Sequence, residues 1–258
     1  MRFAGSALAM LFVLCSTVVA DVNEDLAKAT KKTTELESYS FTMYIEIEGS
    51  PMPMDPIEFE GKTQGDLLYL AGDLMGQEFE MFKKDETVVG LNPEGDWEIA
   101  PEDNGMGGGA SAGMMKAPHE ELDKIETKLE DIKKADGKQD VNGQPCDVYK
   151  GTLDTDSAKD MLGNDQLAMM DPDISGIAKL WVNKDGLIVK VKMDIDIAMD
   201  FQGNEMEMTI VRTTTLSKLG KTTIEIPEDV QEILNEEGDN SEPSERKKGD
   251  EPKEDEDY

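Results

Sequence analysis

The chain is poor in the residues that usually carry chemistry. Its 258 residues include one histidine and two cysteines, and aromatics make up 5%. With His119 as the single imidazole, no Ser/His or Cys/His pair can be assembled away from it. The run His119-Glu120-Glu121-Leu122-Asp123 has the outline of a zinc-binding helix but ends in Asp. A catalytic zinc takes three protein ligands, mostly histidines, and no second histidine exists. His119 is therefore expected on the surface at a helix start. Gly107-Gly108-Gly109 lacks the Lys-Ser/Thr of a phosphate loop, and no twelve-residue calcium loop is found among the acids. No catalytic residue, metal or cofactor is assigned, and a non-enzyme is expected.

Positive charge is scarce as well. Twenty-six Lys and Arg face 57 Asp and Glu, for a net charge of −31. Such a surface repels nucleic acid at long range, which argues against a nucleic-acid partner. After residue 20 no apolar run reaches the ~18 residues of a spanning helix, so an integral membrane protein is not expected. Cysteine is short too. If Cys15 leaves with the leader described next, Cys146 stands alone and no internal disulfide can form. Gln144-Pro145-Cys146-Asp147-Val148-Tyr149 alternates like the start of a strand, which makes the thiol a small buried hydrophobe.

What is present begins with an export signal. Arg2 precedes an apolar run, Ala7–Ala20, and the charge turns acidic at Asp21. Val18 and Ala20 form a small-x-small cleavage pair, so residues 1–20 are expected to be a signal peptide and the product periplasmic or secreted. Lipidation of Cys15 is the rival, poorly served by Val13 and Leu14 before it. Cleavage leaves 238 of the 258 residues and, with Arg2 gone, a charge of −32 in place of −31. Residues 21–235 read as one domain, expected to be a monomer, and 236–258 as a disordered acidic tail too polar to fold.

Within the domain, residues 21–36 read as an amphipathic helix with Leu26, Ala29, Thr33 and Leu36 on its buried stripe. A strand follows in which Phe41, Met43, Ile45 and Ile47 alternate with polar residues. Shorter strands are expected near Ile57–Lys62, Leu67–Ala71, Glu78–Lys83, Thr87–Leu91 and Asp96–Ile99. A Gly/Met-rich loop spans 100–117, and Pro118 opens a helix with Leu122, Ile125 and Leu129 as its apolar positions. Beyond the turn Asn142-Gly143 come a strand, Cys146–Leu153, and a helix over 157–170 interrupted at Gly163-Asn164, with Met161, Leu162, Leu167, Met169 and Met170 as apolar contacts. A short helix closes the domain on Val230, Ile233 and Leu234.

The clearest pattern is a meander from Ala178 to Leu216. Asp185-Gly186 reads as a type I′ hairpin and Gly203-Asn204 as a second tight turn. These turns set Val182 against Val189, Leu180 against Val191, Phe201 against Met206, Met199 against Met208 and Ile197 against Ile210. Val189, Val191, Met193, Ile195, Ile197, Met199 and Phe201 share one face, with Lys190, Lys192, Asp194, Asp196 and Asp200 on the other. The sheet is thus antiparallel and wet on one side. Continuing Met206, Met208, Ile210 puts Arg212 on the inner face unless the strand breaks, and an inward guanidinium needs an acid or a ligand's polar head.

Seventeen methionines are unusual for this length. Those on inner faces suit either a cavity that accepts varied apolar ligands or an ordinary core. The pairs Met52-Pro53-Met54 and Met206-Glu207-Met208 also permit a copper(I) reading, though strand alternation produces the same spacing.

Four segments taken in order resemble a known family. They are Glu37-Ser38-Tyr39-Ser40-Phe41 after the first helix, the stretch Val141-Asn142-Gly143-Gln144-Pro145-Cys146-Asp147-Val148-Tyr149, then Leu180-Trp181-Val182-Asn183-Lys184-Asp185-Gly186-Leu187-Ile188, and finally Ile224-Glu225-Ile226-Pro227. Together they resemble the LolA-like carriers of outer-membrane lipoproteins and their mycobacterial lipoprotein relatives. The resemblance spans roughly residues 22–235. It implies a mainly β, α+β fold, a half-open antiparallel barrel whose concave face is covered by helices and holds acyl chains. The implied role is a non-catalytic carrier of a lipid or acylated protein, with an envelope protein as a further partner. Phe41, Met43, Ile45, Val191, Met193, Ile195, Ile197, Met199, Phe201, Met206, Met208, Ile210 and Arg212 are the expected ligand face. A protein-interaction or envelope-stress sensor module of the same fold is the alternative, because a fold does not fix a function.

Overall fold

The computed structural model describes residues 22–50, 55–74, 76–92, 94–100, 116–162, 172–201 and 204–240. The expected signal peptide, most of the Gly/Met-rich segment, Gly163-Asn164 with Leu167, Met169 and Met170, and residues 241–258 lie outside these.

Helix α1, residues 22–34, buries Leu26, Ala29 and Thr33 as its spacing predicts. It leads into β1 (Ser38–Glu48). Five strands then run by short turns: β2 (Ile57–Gln64), β3 (Leu67–Leu74), β4 (Gln77–Lys84), β5 (Thr87–Leu91) and β6 (Trp97–Ile99). Helix α2 (Pro118–Lys128) passes without a loop into β7 (Leu129–Lys134), followed by β8 (Gln139–Val141) and β9 (Gln144–Leu153). Helix α3 (Thr155–Leu162) precedes the long strands β10 (Asp173–Val182), β11 (Ile188–Phe201) and β12 (Asn204–Ser217), and α4 (Glu228–Asn240) ends the domain.

The strands form one antiparallel sheet in the order β6-β5-β4-β3-β2-β1-β12-β11-β10-β9-β7, with β8 hairpinned onto β9. The order is linear, so the barrel is half open. β1 and β12 join the two meanders, with Phe41 opposite Leu216 and Ile47 opposite Ile210.

Alternation along β11 decides which face is which. Val191, Met193, Ile195 and Ile197 are buried, whereas Lys190, Lys192 and Asp194 are half-buried and Asp196 is exposed. Each such apolar side chain contributes roughly 1.5–3 kcal/mol on burial, and a one-residue slip would turn all of them to water. The concave core joins these residues to Leu26 and Ala29 of α1, Leu122 and Ile125 of α2, and Ala158 of α3. A neighbouring cluster holds Tyr39, Phe41, Met43, Phe59, Leu68 and Leu70. Gly61 lies opposite Phe41, and a Cβ there would fall within the Phe41 ring, so glycine is what lets the ring lie across β2.

The convex face is covered differently. Val230 and Leu234 of α4 pack on Leu67, Phe82 and Val89, while Val141, Cys146, Val148, Trp181 and Val189 form a second outer cluster. Cys146 is fully buried, as expected, and burial raises its thiol pKa.

Three details differ from the sequence expectation. The first hairpin is not a two-residue type I′ turn. Gly186 N donates to Asn183 O and only Gly186 has positive φ there, a three-residue loop with a bulge. Leu180 does face Val191, but the bulge pairs Val182 with Ile188, so Ile188 enters the concave core and Val189, expected on the inner face, turns to the outer cluster. In the second hairpin Phe201 faces Asn204, Met199 faces Met206, Ile197 faces Met208 and Ile195 faces Ile210. The shift of two residues keeps every side chain on its expected face, which is why alternation alone could not detect it. Helix α4 runs to Asn240, past the expected start of the tail at 236. Asn142 and Gly143 both take positive φ between the paired Val141 and Gln144, as the expected tight turn requires.

Candidate functional site

The expected ligand face is one continuous surface, but the helices cover only part of it. Phe41, Met43, Val191, Met193, Ile195 and Ile197 lie buried beneath them. Between α2 and the sheet, a void of about 10 Å³ is lined by Leu122, Ile125, Val191 and Met193. It holds at most one water, so this zone is closed and dry. Ile45, Met199, Met206, Met208 and Ile210 are only half-buried. Met199, Met208 and Ile210 pack on the edge of the concave core. Ile57, Phe79 and Met81, not singled out from the sequence, extend the half-buried band across β2 and β4. Phe201 ends β11, and its side chain lies outside the described residues.

Arg212 stands where the two zones meet, paired with Ile45 on β1 and Met193 on β11. The strand does not break there. Its guanidinium points to α2, where Nη1 donates to Glu121 Oε1 at 3.0 Å and Nη2 lies 2.7 Å from Oε2. Nε donates to the Met43 sulfur at 3.2 Å. Nη2 is off the hydrogen-bond direction and remains a buried nitrogen without an acceptor. Both side chains are about nine-tenths covered, at 12% and 13% exposure, so removing one partner strands the other's charge.

A second polar contact holds the start of α2. His119 N donates to the Tyr39 hydroxyl at 3.0 Å, and that hydroxyl lies 2.8 Å from His119 Nδ1. A neutral imidazole can accept the Tyr39 proton at Nδ1. Burial lowers the His119 pKa against the upward pull of Glu120 and Asp123, and burial also raises that of Tyr39. His119 is thus a half-buried, hydrogen-bonded residue, not the surface histidine the sequence suggested. The helix start itself follows local rules, with Pro118 in the first turn and Glu120 accepting from Ala117 N at 3.1 Å.

Among the described residues no group of three His, Cys, Asp or Glu could hold a metal ion. Met206 and Met208 face inward as strand alternation requires, and Met52-Pro53-Met54 lies outside the described residues. No described helix is long and apolar enough to cross a membrane.

Known structures place this architecture. The crystal structure of LprF from Mycobacterium bovis aligns over 82% of this chain and 98% of its own, at 16% identity and a TM-score of 0.52. The LolA superfamily protein NE2245 from Nitrosomonas europaea aligns over 81% and 96%, at 9% identity and a TM-score of 0.30, too low to carry weight. No protein-family model and no curated protein matches the chain. The chain therefore shares the fold of LprF. At 16% identity the likeness to LprF shows the fold alone.

Proposed function

We propose that the chain is an exported, non-catalytic carrier that holds the acyl chain of a lipid or acylated protein on the inner face of its half-barrel. The observation that carries this is the band of half-buried apolar side chains, rich in methionine, that continues the core out from under the helices at Ile45, Met199, Met206, Met208 and Ile210. Flexible thioethers suit varied apolar chains. Arg212, whose guanidinium pairs with Glu121 beside this band, is the cation an anionic or ester head would approach. The closed zone under α2 favours the other reading, an interaction or sensor module whose sheet is simply packed.

Displacement of a fluorescent fatty acid by diacyl lipid separates the two. The carrier reading expects saturable binding by the wild type, weakened in Met199→Trp and Met208→Trp while the fold survives. Arg212→Ala should weaken only ligands with an anionic head. Absence of saturable binding discards the carrier, and binding unchanged in both Trp variants moves the site off this sheet.

A further inference from the structure

The convex face carries a feature that lipid binding does not use. Helix α4 and the irregular segment before it, through Ile224 and Ile226, pack on that face around Tyr69, Phe82 and Val89. Two residues on from Tyr69, Phe82 and Val89 along their strands lie Ala71, Glu80 and Leu91, which alternation returns to the same side. A groove of about 420 Å³ opens there, lined among others by Glu60, Ala71, Asp73, Glu78, Glu80 and Leu91. Ala71 is its low point, with Glu60 and Glu80 opposite it on the two flanking strands. Leu91 is 39% exposed and Ile99, on adjoining β6, 47%; they are the exposed large hydrophobics of the described residues.

The charged residues that line it are all acidic, and Lys62, on the same face, lies to one side over the Tyr69 ring. Asp73 lies directly opposite Glu78, an arrangement that destabilises a sheet unless something positive is brought to it. Glu60, Asp73 and Glu78 are exposed, and Glu80 is half-buried beside them. The Tyr69 hydroxyl beside the groove is pushed up to about 12 by burial and then by Glu80 and Glu60.

We infer that this groove docks a cationic, amphipathic segment of a separate protein. An apolar side chain lies over Ala71 against Leu91, and flanking lysines or arginines reach the carboxylates. Neighbouring strands are ~4.8 Å apart, so Glu60 and Glu80 stand about 10 Å apart, within reach of long side chains on either side of one apolar residue. Charge excludes the other occupants. An anionic bilayer and a second copy of a chain at −31 are both repelled. The chain's own residues 241–258 hold Arg246, Lys247, Lys248 and Lys253 against eight acids, and are repelled too.

The test is fluorescence anisotropy with a labelled nine-residue peptide of alternating lysine and leucine. Two control peptides put serine for leucine, or glutamate for lysine. The wild type should bind the lysine–leucine peptide saturably and the controls at least about tenfold more weakly. Glu78→Lys with Glu80→Lys should cost about tenfold, and Leu91→Ser should cost severalfold. Glu24→Lys with Glu35→Lys, the same charge change at exposed positions on α1 and in the turn after it, should leave binding unchanged. Lipid binding, measured in parallel, should be untouched by the groove variants, which separates this proposal from the carrier reading. Absence of saturable binding, equal binding of the serine peptide, equal loss in the α1 variant, or full binding in the groove variants would each overturn it.

Discussion

Ile197 and Met199 are two residues apart on β11 and point the same way, yet one is 1% exposed and the other half-buried. The sheet gives them the same orientation; what differs is what lies over them. Ile197 and its neighbours face Leu26, Leu122, Ile125 and Ala158, whereas Met199 and Met208 only adjoin that cluster. The contrast teaches that strand alternation selects the apolar face, and helices brought from elsewhere in the chain decide which part of it becomes core.

Breaking the covered part should have the largest effect. Ile197→Asp places an unpaired charge in a dry core and should cost about 3–5 kcal/mol in urea unfolding. Glu121→Ala strands the Arg212 guanidinium and should cost about 2–4 kcal/mol, while Glu121→Leu with Arg212→Met should recover most of that. A double variant as unstable as the single would show that the ion pair does not hold α2. The comparison sharpens with one substitution made in each zone. Met193→Trp overpacks the covered zone and should cost about 1–3 kcal/mol, whereas Met208→Trp at the open end should stay under about 1. Equal costs would mean that the open end is packed in solution.

A pH profile tests the upper contact of α2. The folded state holds His119 below the ordinary value of 6.5, so the unfolded chain takes up its proton more readily. Stability from this group is complete above that pH and declines as pH falls through 6.5 toward the lower folded value. His119→Gln should remove that part of the decline in melts between pH 7.5 and about 5. The smallest effect belongs to the wet face. Asp196 is exposed and accepts from Thr209, so Asp196→Asn should change stability by under about 0.5 kcal/mol.

Sequence alone identified most strands and the inner face of β11, because period-2 alternation is a local signal carried by residues such as Val191, Met193 and Ile195; it left open whether Arg212 turns inward or the strand breaks there. It could not find the partner of Arg212, since Glu121 is 91 positions away and is one of two acids in the first turn of α2. The contact of Tyr39 with His119, 80 positions apart, was hidden in the same way. The second hairpin was misregistered because a two-residue slip preserves every face. Helix α4 showed an apolar stripe, but nothing in Val230, Ile233 and Leu234 tells whether that stripe meets the concave or the convex side.

The direct passage of α2 into β7 has a mechanical consequence. Leu129 and Glu130 are already paired with Leu153 and Thr152, so the C-terminal end of the helix is anchored to the sheet. Any lifting of α2 is then a rotation about Leu129, with the Pro118 end travelling furthest. Glu121 sits about 12 Å from that pivot at the usual helical rise, and His119 further still. Both polar contacts therefore act at the far end of a lever, where a bond resists rotation with the greatest torque and where breaking it frees the widest gap over Met193.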